Sequence, residues 1–195
     1  IDTGVDGNHQ DLSGNVLDGK DVSGGGSADG WKPVGAEPEH GTLVASMIAG
    51  HGHAGREGDA QPGGEPGQGL GMIGIAPEAN VVPISVWLGT QNPGNVSVED
   101  QIPRAVEEAV DSGAKVVNLS VGSSKTDWPE RWDKSFQYAQ DHDVVVVASA
   151  GNRGSGVTQV GAPSTIPGVV SVGGVDRQGK TSWDSSAQGL SLIHI

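Results

Sequence analysis

Four short stretches carry residues whose types and spacing suit chemistry. Asp2-Thr3-Gly4-Val5 puts a carboxylate and a glycine where a first strand would end. His40-Gly41-Thr42 puts an imidazole just ahead of Leu43, Val44, Met47 and Ile48, whose spacing makes one face of a helix. A ring at that first turn meets the positive end of the helix dipole, which disfavours imidazolium and helps keep it neutral, as a general base requires. Ser149-Ala150-Gly151-Asn152 follows a valine run, and an asparagine there can offer its amide to a developing negative oxygen. Asn118-Leu119-Ser120-Val121-Gly122 ends another apolar run in the same way. Each stretch also has a plainer reading. Asp2-Thr3-Gly4 alone suits a turn or cap, His40 a capped turn, Asn152 a left-handed turn, and residues 118–122 core plus turn.

Positioning these residues requires particular elements. Val81-Val82-Pro83-Ile84-Ser85-Val86-Trp87 reads as a strand, with Pro83 weakening it or forcing a bulge. Ile102, Ala105, Val106, Ala109 and Val110 recur at helical spacing between Asp100 and Ser112. Asp100 as N-cap would place Pro103 in the first turn, and Gly113 stands where the helix should stop. Lys115–Val121 is a strand, and Pro129–Asp141 is a helix with Trp132, Phe136 and Ala139 on one face. Val144–Ser149 and Val169–Val175 read as strands, the β-branched run of the former suiting burial on both faces. This alternation predicts a parallel α/β sheet, with functional groups beyond the carboxyl ends of its strands. Asp2, Ser120 and Asn152 are then expected on one sheet edge, with His40 within hydrogen-bond reach of Asp2. Ser23–Gly30 and Gly50–Gly74 are glycine-rich and read as surface loops within one domain.

Composition removes several alternatives. The 195 residues include 33 Gly and no Cys, so disulfides, thiolate metal sites and a cysteine nucleophile are excluded. A net charge of −13 argues against nucleic acid or an anionic membrane as the main partner. The longest apolar run, Val144–Ala148, is far shorter than the ~20 residues of a bilayer span. Asp-Thr-Gly also opens the catalytic loops of aspartic peptidases, where two carboxylates share a proton. That chemistry needs a second such loop in an all-β setting, and the nearest match, Asp111-Ser112-Gly113, ends a helix.

Taken in order, the motifs resemble the subtilisin-like serine peptidases (subtilases) from Ile1 to about Gly189. The likeness rests on Asp2-Thr3-Gly4-Val5, His40-Gly41-Thr42-Leu43-Val44-Ala45, Gly74-Ile75-Ala76-Pro77, Val117–Gly122, Ala148–Asn152, Pro163-Ser164 and Val169–Gly173. It implies a three-layer α/β sandwich with a mainly parallel central sheet, incomplete here. It further implies that Asp2 and His40 are two members of an Asp-His-Ser triad and that Asn152 is the oxyanion donor. By the same likeness, Ser120, Val121 and Gly122 pair with the substrate backbone. Ser149, Ala150 and Gly151 wall the pocket for the side chain preceding the scissile bond. The implied partner is a polypeptide and the implied location extracellular or cell-surface, with no cofactor needed for the chemistry. The loop around His51-Gly52-His53 is similar to that of the mycosin-like branch and is expected to be solvated rather than a metal site. Subtilases often bind structural calcium. Glu57, Asp59 and Glu65 are the candidate oxygen ligands, without a recognisable ligand pattern.

One departure matters. The family's nucleophile stands in a Gly-Thr-Ser-Met-Ala type motif, which does not occur in these 195 residues. Ser123, Ser124, Ser164 and Ser185-Ser186 do not stand in its place. The expectation is a piece of a catalytic domain, cut at both ends. Residues 1–189 would belong to the domain, and Leu190–Ile195 would be a non-native tail resembling adapter read-through, or else a divergent end. The nucleophile would lie beyond the chain, leaving these residues inactive alone. The rival expectation is a non-catalytic domain that keeps the subtilase fold and its peptide cleft.

Overall fold

The computed structural model describes residues 1–52, 72–89, 92–123, 125–152 and 160–180. Two compact units divide the chain, Ile1–Ser112 and Gly113–Ile195.

In the first unit, β1 (Lys20–Asp21) and β2 (Ile84–Ser85) pair in parallel, with Lys20 opposite Ile84 and Asp21 opposite Ser85. Asp2 joins the other side of β2 through a parallel bridge to Ser85. The predicted strand from Val81 is therefore shorter, and Pro83 is the reason. With no N–H it cannot continue a ladder, so Val81 makes only an isolated bridge to Val16 and regular pairing starts at Ile84. The Ser23–Gly30 stretch is more than a surface loop. Ser23 and Gly30 are buried, and the Asp21 carboxylate gathers the N–H groups of Ser23 and Gly26.

Helix α1 (His40–Ala49) buries Gly41, Ala45 and Ala49, the two alanines in a cluster with Val5, Leu12 and Val16. This corrects the sequence reading, in which the large apolar residues formed the informative face. Leu43 and Met47 are instead about 60% exposed, at 61% and 60%. A Cβ on Gly41 would fall 2.1 Å from the Gly4 carbonyl oxygen, so the helix approaches that loop too closely for a larger residue.

Helix α2 (Val98–Asp111) starts two residues before the expected Asp100. Ser97 is its N-cap: Asp100 N–H donates to Ser97 Oγ, and Ser97 Oγ in turn donates to Asp100 Oδ2. Pro103 consequently lies inside the helix rather than in its first turn, at the cost of one ladder bond. The helix ends at Asp111, with Ser112 as C-cap and Gly113 left-handed at φ +83°. Asp111-Ser112-Gly113 is thus a helix terminus, not a second catalytic loop.

The second unit holds a three-stranded parallel sheet in the order β3 (Val116–Leu119), β4 (Val145–Ser149), β5 (Val170–Val172). Helix α3 (Arg131–Asp141) lies between β3 and β4 in the chain, packs on β4 and buries Trp132, Phe136 and Ala139. The expected burial of β4 on both faces is not found. Val117, Leu119, Val146 and Ala148 are buried, whereas Val116, Val145, Val170 and Val172, on the opposite face, are between 48% and 62% exposed. Valine recurs along β4, so the pleat divides the run where composition could not. Every pairing between named strands is parallel, and the fold is α/β.

Candidate active site

Asp2 sits at the carboxyl end of the first extended segment, locked by two ladder bonds to β2. Its N–H donates to Ile84 C=O, and its C=O accepts from Val86 N–H. Gly4, at φ +93°, turns the chain away immediately afterwards. The Asp2 carboxylate is buried. Its Oδ1 accepts from Thr3 N–H at 2.7 Å and lies 2.7 Å from His40 Nδ1. A carboxylate only accepts, so His40 Nδ1 is the donor in this contact, and in the neutral ring Nε2 is the nitrogen left to accept a proton. Asp2 Oδ2 is buried with no hydrogen-bond partner among the described residues, so the charge is offset chiefly through Oδ1. The His40 side chain is 37% exposed and can meet a reactant.

Thr3 had no role in the sequence reading, yet it joins the two motifs. Fully buried, it donates from Oγ1 to Pro38 C=O and accepts from Gly41 N–H at 2.9 Å. Glu39, the residue preceding α1, makes no side-chain cap, so Thr3 caps the helix from 38 positions away. Thr42 Oγ1 accepts from Asp6 N–H. Segments 2–6 and 38–42 are thereby interlocked around the carboxylate–imidazole pair. A hydroxyl residue between an Asp and a Gly was the available signal, but only a long-range partner gives it meaning.

Ser120, Val121 and Gly122 leave the carboxyl end of β3 in the second unit, and Ser149, Ala150, Gly151 and Asn152 run out of the carboxyl end of the neighbouring β4. Asn118 Nδ2 donates to Ser120 Oγ. A Cβ on Gly122 would lie 4.0 Å from Ser149 Oγ, so the two strand exits face one another. Ala150 N–H donates to Val172 C=O, Gly151 takes φ +99°, and Asn152 is exposed. Ser164, part of the Pro163-Ser164 motif and set aside above as a nucleophile, donates from Oγ to Ser149 C=O at 2.7 Å and ties the Pro163 turn to the end of β4.

His51, expected in a solvated loop, is buried. Its N–H donates to Asp11 C=O, and it bridges Ile73. Among the described residues no group of three or more acidic or imidazole side chains is gathered to hold a metal. His53, the calcium candidates Glu57, Asp59 and Glu65, and the segment Leu190–Ile195 lie outside the described residues. Ser124 and Ser185-Ser186 do as well. No helix among the described residues is long and apolar enough to cross a membrane.

Comparison with known proteins bears on this geometry. The sequence profile of the subtilase family (peptidase S8) matches residues 1–192. Fervidolysin of Fervidobacterium pennivorans is 33% identical over 98% of this chain and 26% of its own length. The minor extracellular protease Vpr of Bacillus subtilis (strain 168) is 32% identical over 89% of this chain and 20% of its own. Among solved structures, the S41 psychrophilic protease superposes with a TM-score of 0.70 at 27% identity, covering 98% of this chain and 58% of that one. The chain therefore spans only part of the length of these relatives.

Proposed function

The chain belongs to the subtilase family, and from that premise we propose that it carries part of the catalytic domain of a serine endopeptidase acting on polypeptides. The observation that carries this reading is the 2.7 Å contact between His40 Nδ1 and Asp2 Oδ1, with the carboxylate buried and the ring open to solvent. Asp2 orients His40 and stabilises the imidazolium, and His40 Nε2 takes the proton from a serine Oγ and returns it to the leaving amine. Asn152 donates its amide to the tetrahedral oxyanion. Ser120, Val121 and Gly122 pair with the substrate backbone, and Ser149, Ala150 and Gly151 wall the pocket beside it. The nucleophile is a serine outside the 195 residues, because no serine within them stands in the family's Gly-Thr-Ser-Met-Ala context. Side chains and backbone suffice for this chemistry. The enzyme is extracellular or cell-surface, although relatives include one protease named as extracellular and one as intracellular.

The missing motif also favours a second reading, a peptide-binding domain without catalysis. A fluorophosphonate probe separates the two. The proposal expects the complete reading frame to be labelled and the 195-residue chain to be neither labelled nor active. Specific, heat-sensitive labelling of the 195-residue chain would place the nucleophile at a serine already present. A complete protein that binds peptide but takes no label would be the binding domain.

A further inference from the structure

Helix α1 carries His40 on its first turn and ends about 15 Å away at Ala49. Gly50 follows in an extended conformation (φ −63°, ψ 139°), so this end lacks the left-handed glycine turn that would satisfy its carbonyls locally. The terminal carbonyls are paired all the same. Ser46 C=O accepts from Gly50 N–H, Met47 C=O from Ile75 N–H at 3.1 Å, and Ile48 C=O from Ala76 N–H at 2.7 Å. The last, Ala49 C=O, accepts from Asn15 Nδ2 at 3.1 Å. The same amide nitrogen also donates to Pro77 C=O at 2.6 Å, on the segment that supplies Ile75 and Ala76. One carboxamide thus holds both the helix end and the chain that caps it.

Asn15 is itself fixed. Its N–H donates to Leu12 C=O, and its C=O accepts from Val81 N–H. Leu12 and Val16 on either side of it belong to the cluster that packs on Ala45 and Ala49. After Ser13 and Gly14 an asparagine reads as a turn residue, but Gly14 takes the left-handed position at φ +85° and leaves the Asn15 side chain to its two carbonyls. The buried face of α1 is Gly41, Ala45 and Ala49, and side chains this small make shallow ridges that resist sliding and rotation poorly. The polar ties at the two ends therefore set where the helix stands, Thr3 at Gly41 and Asn15 at Ala49. A tie at one end alone would leave the axis free to pivot, and the 2.7 Å contact of His40 with Asp2 tolerates little displacement.

We propose that Asn15 is a positioning residue for His40: by holding the last carbonyl of α1 together with the segment that caps it, its carboxamide fixes the helix and keeps the imidazole on Asp2. The inference rests on the catalytic reading of the Asp2–His40 pair. It assigns Asn15 to the chemical step through His40 and not to substrate affinity, because every group the carboxamide touches is backbone at the far end of the helix.

The test uses the complete reading frame. Asn15→Asp keeps the shape but turns a carboxylate toward two carbonyls, at the negative end of the α1 dipole. Asn15→Ala removes both bonds. Ile102→Val, a buried truncation on α2, is the stability control. Turnover is measured on a peptide and on a single-residue ester, well below each variant's Tm, and the low-field proton resonance of His40 Nδ1–H is followed by NMR. Asn15→Ala should lower kcat on the order of tenfold on both substrates and Asn15→Asp on the order of 10²-fold, with KM within about twofold. In both, the resonance should shift and exchange faster with solvent, while Ile102→Val leaves it and kcat unchanged. Full kcat or an unmoved resonance in Asn15→Ala would overturn the proposal, as would an equal loss in Ile102→Val. Where either Asn15 variant fails to fold, Asn15→Ser, which keeps one hydroxyl donor, replaces it and should show the same changes to a smaller degree. If the wild type neither cleaves nor takes a fluorophosphonate, the peptidase reading fails by itself. The resonance then decides alone: displaced in Asn15→Ala it supports the clamp, unmoved it overturns it.

Discussion

The two units fix their candidate site residues by different means. In the first, beside the two ladder bonds of Asp2 to the β2 segment, the stretches carrying Asp2 and His40 are joined by side chains reaching across long stretches of sequence: Thr3 to Pro38 and Gly41, and Thr42 to Asp6. In the second, Ser120 and the run from Ser149 leave adjacent strands of a regular parallel ladder, with backbone pairing setting their spacing. A ladder spreads its constraint over many weak bonds, so no single side chain decides where a strand ends. A side-chain interlock concentrates the constraint in a few buried polar atoms, each expensive to leave unpaired. Substitutions of similar size should therefore hurt the first unit more than the second.

The largest effect expected on the first side of this contrast is at Asp2. Asp2→Asn keeps the shape but can donate to His40, which favours the wrong tautomer; in the complete enzyme kcat should fall on the order of 10⁴-fold, as in other triads. Stopped assays with active-site titration would show the fall in turnover per labelled site, and a loss under tenfold would remove Asp2 from the machinery. On the second side, Asn152→Ala should lower kcat on the order of 10²–10³-fold while KM changes little, since the amide works only once charge develops. A rise in KM at full kcat would make Asn152 a binding or turn residue.

This contrast also explains what the sequence made legible. The proximity of Asp2 and His40 was readable because motif residues carry their chemistry in their types. The helices at 98–111 and 131–141 were readable because apolar residues recur at the right period. The start of α2 was misplaced because Ser97 and Asp100 are both good caps, and only the reciprocal bonds between them show which one stands outside the helix. The buried face of α1 was misplaced for a different reason. Gly41, Ala45 and Ala49 give almost no hydrophobic signal, yet closeness to the Gly4 carbonyl demands small residues there. Thr3 and Asn15 were silent because their partners are set by tertiary structure.

A smaller effect tests the interlock without touching the reacting groups. Thr3→Val is nearly isosteric but leaves Gly41 N–H without its acceptor and Pro38 C=O without its donor, one of them in a buried setting. The expected loss is about 2 kcal/mol of stability, read as a lower urea midpoint at constant m. Thr3→Ser keeps the hydroxyl and should recover most of it. If Thr3→Val costs under about 0.5 kcal/mol, within the usual surface range, the hydroxyl is not what joins the two segments.

The smallest effects come from two neighbouring valines of β4, where the contrast can be drawn within one strand. Val146 is 3% exposed and Val145 48% exposed, although they share residue type, strand and backbone pairing. Replacing either by Thr preserves β-branching and strand propensity, so the remaining difference is where the new hydroxyl must sit. At 146 it enters a packed face beside Leu119 and Ala148 and should cost about 1.5 kcal/mol; at 145 it meets water and should stay within about 0.5 kcal/mol. Paired denaturation curves decide the matter. Equal costs at both positions would mean that the outer face of β4 is covered in solution, which would restore the two-sided burial that the valine run first suggested and remove the asymmetry between the faces of this sheet.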